Sequence, residues 1–510
     1  MNNMSITRRK FLALLSSASA LPILGVGRAE ASKTFNADVE IKLTAKSDKV
    51  SIFSGNKTQV YRYQGEVVKG EAGTLQTIKG SYLGPVLRFR KGQKVRIRFV
   101  NQLSEESIIH WHGLHIPDDM DGHPRFAVNG GEEYIYEFTV NNRAGTYWFH
   151  PHPHGNTAHQ AYMGMAGLLI ISDREEQALG LPSDEYDLPI VIQDRSFNRD
   201  NQLQYIGPSM MGMMQRMTGF KGEQIMINGL SDNTLSVATR PYRLRLLNGS
   251  NSRIYKLAWN DDSPLRVIAT DGGLLENPEQ RPYIMLAPGE RIELWVDFSR
   301  YKIGTELTLR HLPMEESMSG SGMMGRMMRQ SALSSNEGFE VLRVKVNKRS
   351  NTRLSIPNRL SQISHYPSDS IDKHRKFKLT MDHRQPGIDH RSFSMTEVSE
   401  YEVVKFGALE IWEFQNDVSG GMGPMPHPMH VHGVQFQVIE RSVSADYEAA
   451  YEDVQYGYID SGWKDTVLVM PGERVKLLIK FNHYDGMYLY HCHNLEHEDL
   501  GMMRNYLVKR

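Results

Sequence analysis

Cysteine is nearly missing from this chain: one thiol, Cys492, stands in 510 residues, so no disulfide can close within it. An excess of charge is missing as well. Lysine plus arginine and aspartate plus glutamate number 59 each, which leaves no basic surplus to attract nucleic acid or an anionic membrane. Beyond the N-terminus there is no apolar run of about 18 residues or more, so no internal membrane span is expected. Stretches with helical periodicity are few. What remains is a globular chain long enough for about three domains of roughly 150 residues each.

The N-terminal residues read as an address. "TRRKFLALLSSASALPILGVGRAEA" begins with a twin arginine (Arg8, Arg9), runs through an apolar stretch starting at Phe11 and closes on Ala29-Glu30-Ala31. Serines, Pro22 and Gly25 interrupt it, which disfavours a retained anchor helix. The expectation is a twin-arginine signal peptide over 1–31, cleaved after Ala31, that exports the folded protein to a bacterial periplasm and leaves no membrane anchor.

Self-similarity follows. "VNGGEEYIYEFTV" (128–140), "LAPGERIELWVDFS" (286–299) and "VMPGERVKLLIKFN" (469–482) share a glycine turn, an acidic residue and an alternating strand. A glycine then opens a further strand in each: "GTYWFHPH" from Gly145, "GTELTLRH" from Gly304 and "GMYLYHCH" from Gly486. Short alternating strands between Gly, Pro and Asn turns predict an all-β chain built as a sandwich repeated three times. The units are placed at 35–175, 185–346 and 372–510, with the polar, serine-rich piece 347–371 as a linker.

The copies differ in their histidines. The strand opened by each glycine carries His150 and His152 in the first unit and His491 and His493 in the third, but Leu309 and His311 in the middle one. Upstream, "HWHG" supplies His110 and His112, and "HPMHVHG" supplies His427, His430 and His432. Five His-x-His pairs occur among 20 histidines, where random placement would give roughly 0.8, so scattered structural histidines do not explain them. The outer units are expected to carry metal chemistry and the middle one to space them.

In a strand, residues i and i+2 face one way and i+1 the other. A His-x-His pair therefore presents two imidazoles side by side, spaced for two adjacent metals. Imidazole alone does not choose among copper, zinc and iron. The sequence "HCHNLEHEDLGM" does. Cys492 faces away from His491 and His493, toward His427 and His497, with Met502 as a distant thioether. Two histidines, a thiolate and a weak axial methionine make a blue-copper electron-transfer site.

In the order and spacing of HWHG, WFHPH, HPMHVHG and HCHNLEHEDLGM, the chain resembles the three-domain bacterial multicopper oxidases of the laccase and periplasmic cuprous-oxidase kind. The likeness spans essentially all of the chain after residue 31. It implies three consecutive cupredoxin-like Greek-key β-sandwiches and four copper ions. A type 1 copper would take His427, Cys492, His497 and Met502, and a type 2 copper His110 and His430. Two type 3 coppers would divide His112, His150 and His493 from His152, His432 and His491. It also implies one-electron oxidation of a reductant at the type 1 site and reduction of O2 to water at the other three coppers. The family's pattern has a proton-relay acid at the positions of Asp121 and Glu498; the plainer readings are a surface turn and a helix start. A non-catalytic copper-binding relative would lack the cysteine or several histidines, and this chain keeps them all.

The chain has 27 methionines. "PSMMGMMQRM" (208–217) and "MEESMSGSGMMGRMMRQ" (314–330) lack strand alternation and are expected to form mobile loops. Thioethers select Cu(I), so with Met422 and Met425 these segments suggest Cu(I) as substrate, Met425 being the candidate substrate-copper residue. Where cuprous oxidases can carry an aspartate four residues before the first type 1 histidine, this chain has Gly423. A phenolic reductant is the alternative. A monomer is expected, because both ligand-bearing units lie in one chain. The other histidines, among them His115, His123, His154, His159 and His383, are read as surface or supporting groups.

Overall fold

Strand alternation governs the fold. In Val39–Val50 the side chains of Ile41, Leu43 and Ala45 are buried, and in Lys94–Asn101 those of Val95, Ile97 and Phe99, every second residue in each. The computed structural model describes residues 34–314, 333, 337–367, 370–382, 385–416 and 425–510. Residues 1–31, expected to direct export, the second methionine-rich stretch beyond Met314, His383, Met422 and Gly423 lie outside them.

The described residues form six sheets, two for each stretch of sequence that repeats. The topology recurs with the sequence. Val39–Val50 pairs in parallel with Lys94–Asn101, as do Asp187–Phe197 with Pro241–Asn248 and Lys373–Asp382 with Leu409–Gln415. The facing sheets repeat a second parallel pair: Val86–Arg90 with Gly167–Ser172, Thr234–Ala238 with Phe339–Lys348, and Val403–Lys405 with Met503–Lys509. Between the two sheets of each pair lies one apolar core, so the expected all-β architecture of three successive sandwiches is the one observed. Among the described residues no helix is long and apolar enough to cross a membrane.

Two pieces differ from a bare reading of spacer and loop. Residues 349–367 form no strand, yet Leu360 and Ile363 are buried and the Ser361 hydroxyl donates to the carbonyls of Leu274 and Leu275, 2.9 Å each. The first methionine-rich segment, expected to be a mobile loop, is instead an α-helix over Met210–Thr218. Methionine is a good helix former, and Ser209 caps the helix by accepting from the Gly212 N–H at 3.1 Å. Met217 is buried, whereas Met210 is 82% exposed.

Candidate metal centre

Strand register sorts the site residues before any side chain is considered. In the third sandwich His430 pairs with His491 and Met429 with Cys492. Opposed residues share a face, so His427, two before Met429, lies on the Cys492 side and His430 on the His491 side. In the first sandwich His110 pairs with His150 and His112 with Trp148. The Gly486–Cys492 strand thus has a thiol side turned into its own sandwich and an imidazole side turned toward the first.

On the thiol side, Cys492 Sγ lies 3.5 Å from His427 Nδ1 and 3.7 Å from His497 Nδ1, and the three form one group able to hold a metal ion. Met502 is fully buried in the same core, and its carbonyl accepts from the Cys492 N–H at 3.0 Å. His497 Nε2 donates to the Met217 carbonyl of the methionine helix at 3.0 Å, which leaves Nδ1 as the lone pair facing the sulfur. Burial pushes the Cys492 thiol pKa up and brings that of His497 down to about 4. A cation taking the thiol proton's place is what would make this sulfur a thiolate.

On the imidazole side, His110, His112, His150, His152, His430, His432, His491 and His493 are all fully buried. They gather as His110–His112–His430, His112–His150–His493 and His152–His432–His491, each with donor atoms within 4.8 Å of one another. Two of the four contributing His-x-His pairs, 150/152 and 491/493, are split between the last two groups, as side-by-side presentation requires. Rings from different sandwiches stack: His110 on His432 and His112 on His430, centroids 3.7 Å apart in both.

The proton positions test whether a metal fits. His110 Nδ1 faces the Asp121 carbonyl at 2.7 Å and His430 Nδ1 the Asp465 carbonyl at 2.8 Å. A carbonyl only accepts, so both Nδ1 atoms carry the hydrogen. Burial lowers both pKa values well below the usual histidine range, so the rings are neutral. Their Nε2 atoms, 3.2 Å apart, therefore face each other with two lone pairs and no proton between. Further nitrogens have no partner among the described residues: His112 Nδ1, His150 Nε2, His152 Nδ1 and both nitrogens of His493. An unpaired buried polar group costs about 1–3 kcal/mol. Several converging in one place fit bound cations, and imidazole with one thiolate fits copper.

Carboxylates brace these rings. Asp121 Oδ2 accepts from His432 Nδ1 at 2.7 Å while its carbonyl holds His110, so one residue grips imidazoles from two sandwiches. Gly122 makes this possible: its φ is +90°, and a Cβ there would sit 2.1 Å from the Ile109 carbonyl oxygen. Burial, with a smaller push from Asp118, raises the Asp121 pKa well above the usual carboxylate range. Glu498 lies 3.2 Å from His491 Nδ1 and 3.6 Å from His152 Nε2. Burial pushes its pKa up, but the facing imidazoles of His152 and His491 outweigh that and hold it low. The short helix Leu495–Asp499 spends each polar side chain on a different neighbour. Glu496 accepts from Tyr205 (2.7 Å) and Asn251 (2.8 Å), His497 faces the thiol, Glu498 faces the imidazoles, and Asp499 accepts from the Thr157 N–H at 2.8 Å.

Sequence reasoning missed several neighbours. Asp465 Oδ1 is 2.9 Å from His112 Nε2, and Arg291 from the middle sandwich is clamped on Asp465. Trp148 lies against His112, His150 and His493 with centroids 4.3–5.4 Å away. An acid in "WKDTV" and an arginine in "PGERIEL" look like ordinary strand-end charges; only complete burial distinguishes them. Of the other histidines, His115 and His123 are buried rather than superficial, His115 stacked on His483 at 3.8 Å and His123 hydrogen-bonded to Asn505 at 2.9 Å. Met425 is buried in contact with Met217 and Met381.

Family models described as multicopper oxidase match residues 59–176 and 368–510. A multicopper oxidase of Staphylococcus haemolyticus is 31% identical over 475 residues, covering 93% of this chain and 90% of that one. A laccase of Bacillus stratosphericus is 31% identical, covering 84% and 90%. Among solved structures, the McoA multicopper oxidase of the hyperthermophile Aquifex aeolicus superposes with a TM-score of 0.76 at 35% identity, covering 93% of this chain and 97% of that one.

Proposed function

This chain belongs to the multicopper oxidase family of copper-dependent oxidoreductases, and on that premise we propose that it oxidises Cu(I) while reducing O2 to water. Four coppers would be held. His427, Cys492, His497 and Met502 would take the type 1 ion and His110 and His430 the type 2 ion. His112, His150 and His493 would take one type 3 ion, and His152, His432 and His491 the other. When bound, copper supplies one-electron redox chemistry and the binding of oxygen. The three-unit division at 35–175, 185–346 and 372–510, export through the segment 1–31, and a monomeric state belong to the same reading.

The protein's own residues account for the rest. Cys492 is joined by single peptide units to His491 and His493, so the thiol side and the imidazole side communicate through covalent bonds. Both sides are fully buried, which keeps bulk water from the ligands. Asp121, its pKa raised by burial, is suited to hold a proton at Oδ1, the oxygen that no hydrogen bond occupies. Glu498, held low by His152 and His491, is suited to accept one.

The observation that carries the substrate reading is the run of thioethers leading to His497. Met210, Met211 and Met213 are exposed on the helix whose Met217 carbonyl holds His497 Nε2, and Met217 packs with Met381 and Met425. Soft thioethers favour Cu(I) over a phenol. Oxidation of phenols is the second reading, supported by the laccase relative. Oxygen uptake with Cu(I) and with a bulky phenol, with and without added Cu(II), tests the two. Deleting 314–328 is expected to reduce Cu(I) oxidation much more than phenol oxidation. Equal loss on both substrates, or none, removes that segment from substrate handling.

A further inference from the structure

The middle sandwich contributes no imidazole to the three histidine groups, yet it reaches them through a fully buried charge array. Arg291 Nη1 donates to Asp465 Oδ1 at 2.7 Å and Nη2 to Asp465 Oδ2 at 2.5 Å, a two-pronged clamp. Asp271 anchors the clamp, accepting from the Arg291 N–H at 2.7 Å and from the Asp465 and Thr466 N–H groups at 3.3 Å. Lys464 balances the second acid, 3.3 Å from Asp271 Oδ2 and 3.0 Å from Glu290 Oε1. Beside this array, Gly289 abuts the third sandwich so closely that a Cβ would sit 2.9 Å from His493 Cδ2.

The array ends on His112. Asp465 Oδ1 and the Thr466 hydroxyl lie 2.9 and 3.0 Å from His112 Nε2. The Thr466 hydroxyl is itself 2.9 Å from Asp465 Oδ1 and donates there. A carboxylate clamped by a guanidinium accepts, so His112 carries its hydrogen on Nε2 and turns the Nδ1 lone pair toward His150 and His493. That is the opposite tautomer from His110, His150 and His430, whose Nδ1 atoms face carbonyls. In the copper reading one ring would therefore offer a different nitrogen from its neighbours, and the group that enforces this comes from the sandwich without ligands.

We infer that Arg291 is a positioning residue of the oxygen-side copper cluster, acting through Asp465 to hold His112 in its Nδ1-ligating tautomer. The inference rests on the copper reading above, and the experiment separates the two. Copper-loaded wild type, Arg291→Lys and Arg291→Met are compared by copper content, by the electron paramagnetic resonance signal of the type 2 ion and by the blue absorption band of Cys492. Loss of a partner that orients a metal ligand typically weakens metal retention by about 10- to 100-fold. Both variants are therefore expected to lose oxygen-side copper and show an altered type 2 signal while the blue band stays. Arg291→Lys keeps the buried positive charge but not the two-pronged geometry, so it decides the matter if Arg291→Met does not fold. A folded Arg291→Lys protein with wild-type copper content and a wild-type signal overturns the inference. A blue band that falls in step with the other signals overturns it too, since that is general loosening of the fold. A wild-type protein that binds no type 2 copper would instead defeat the copper reading itself.

Discussion

The two sides of the Gly486–Cys492 strand are built from different materials. On the thiol side the donors sit among Trp412, Phe414 and Tyr490 in the third core, and among the described residues the outside contact fixing a donor's tautomer is a backbone carbonyl, that of Met217. On the imidazole side three carboxylates, those of Asp121, Asp465 and Glu498, lie within 3.2 Å of the rings they brace. A largely apolar shell, in which the Glu498 and Glu496 carboxylates act on the thiol less than burial does, suits a site that moves only electrons. A ring of acids suits one that must also take up protons. Adjacent residues of one strand therefore serve two chemistries because the pleat sends them into two environments.

The largest test of that division is Cys492→Ser. Blue colour and turnover are expected to vanish together, while copper on the imidazole side keeps its type 2 resonance signal. Persistence of colour without the thiol would falsify the type 1 assignment, and loss of the type 2 signal as well would show that the two sides are not separable. Next in size are Asp121→Asn and Glu498→Gln, each expected to slow O2 reduction on the order of 100-fold. Bleaching of the blue band by reductant without oxygen should stay at the wild-type rate. If bleaching slows equally in stopped-flow traces, the acids do not belong to the imidazole side alone.

The smallest effect concerns the metal-free protein. Burial brings the pKa of His150 down to about 3 and those of His152 and His497 to about 4, against about 6.5 in an unfolded chain. Between pH 6.5 and 4 the unfolded state then binds more protons than the folded one, so stability rises with pH across that window and falls on acidification. Thermal unfolding after copper removal should shift downward steadily from pH 7 to pH 4.5. A flat profile would mean that these rings are not held neutral by the fold.

Much of this was legible in the residues. The threefold repeat appears in matching glycine turns. The parity of the strands predicts that Cys492 and His427 part from His491 and His430, because alternation along an extended chain depends on nothing but the backbone. The methionine segment 208–217 misled, since helix formation there is carried by Ser209 and by residues with no apolar stripe to announce it. Asp465 and Arg291 were invisible for another reason. A strand-end acid is usually solvated, and its meaning changes only when another sandwich closes over it.

By itself, then, the sequence determined which side chains share a face of each strand, and with them the split between one thiol and eight imidazoles. Tertiary structure alone decided which nitrogen of each ring carries its proton, since that depends on the partner each ring meets. His110 meets a carbonyl on the turn after its own strand, His497 one on the methionine helix, and His112 a carboxylate pinned by Arg291 from the middle sandwich. These are contacts across 11, 280 and 353 residues of chain, and the two longer ones follow from packing between units rather than from any local pattern.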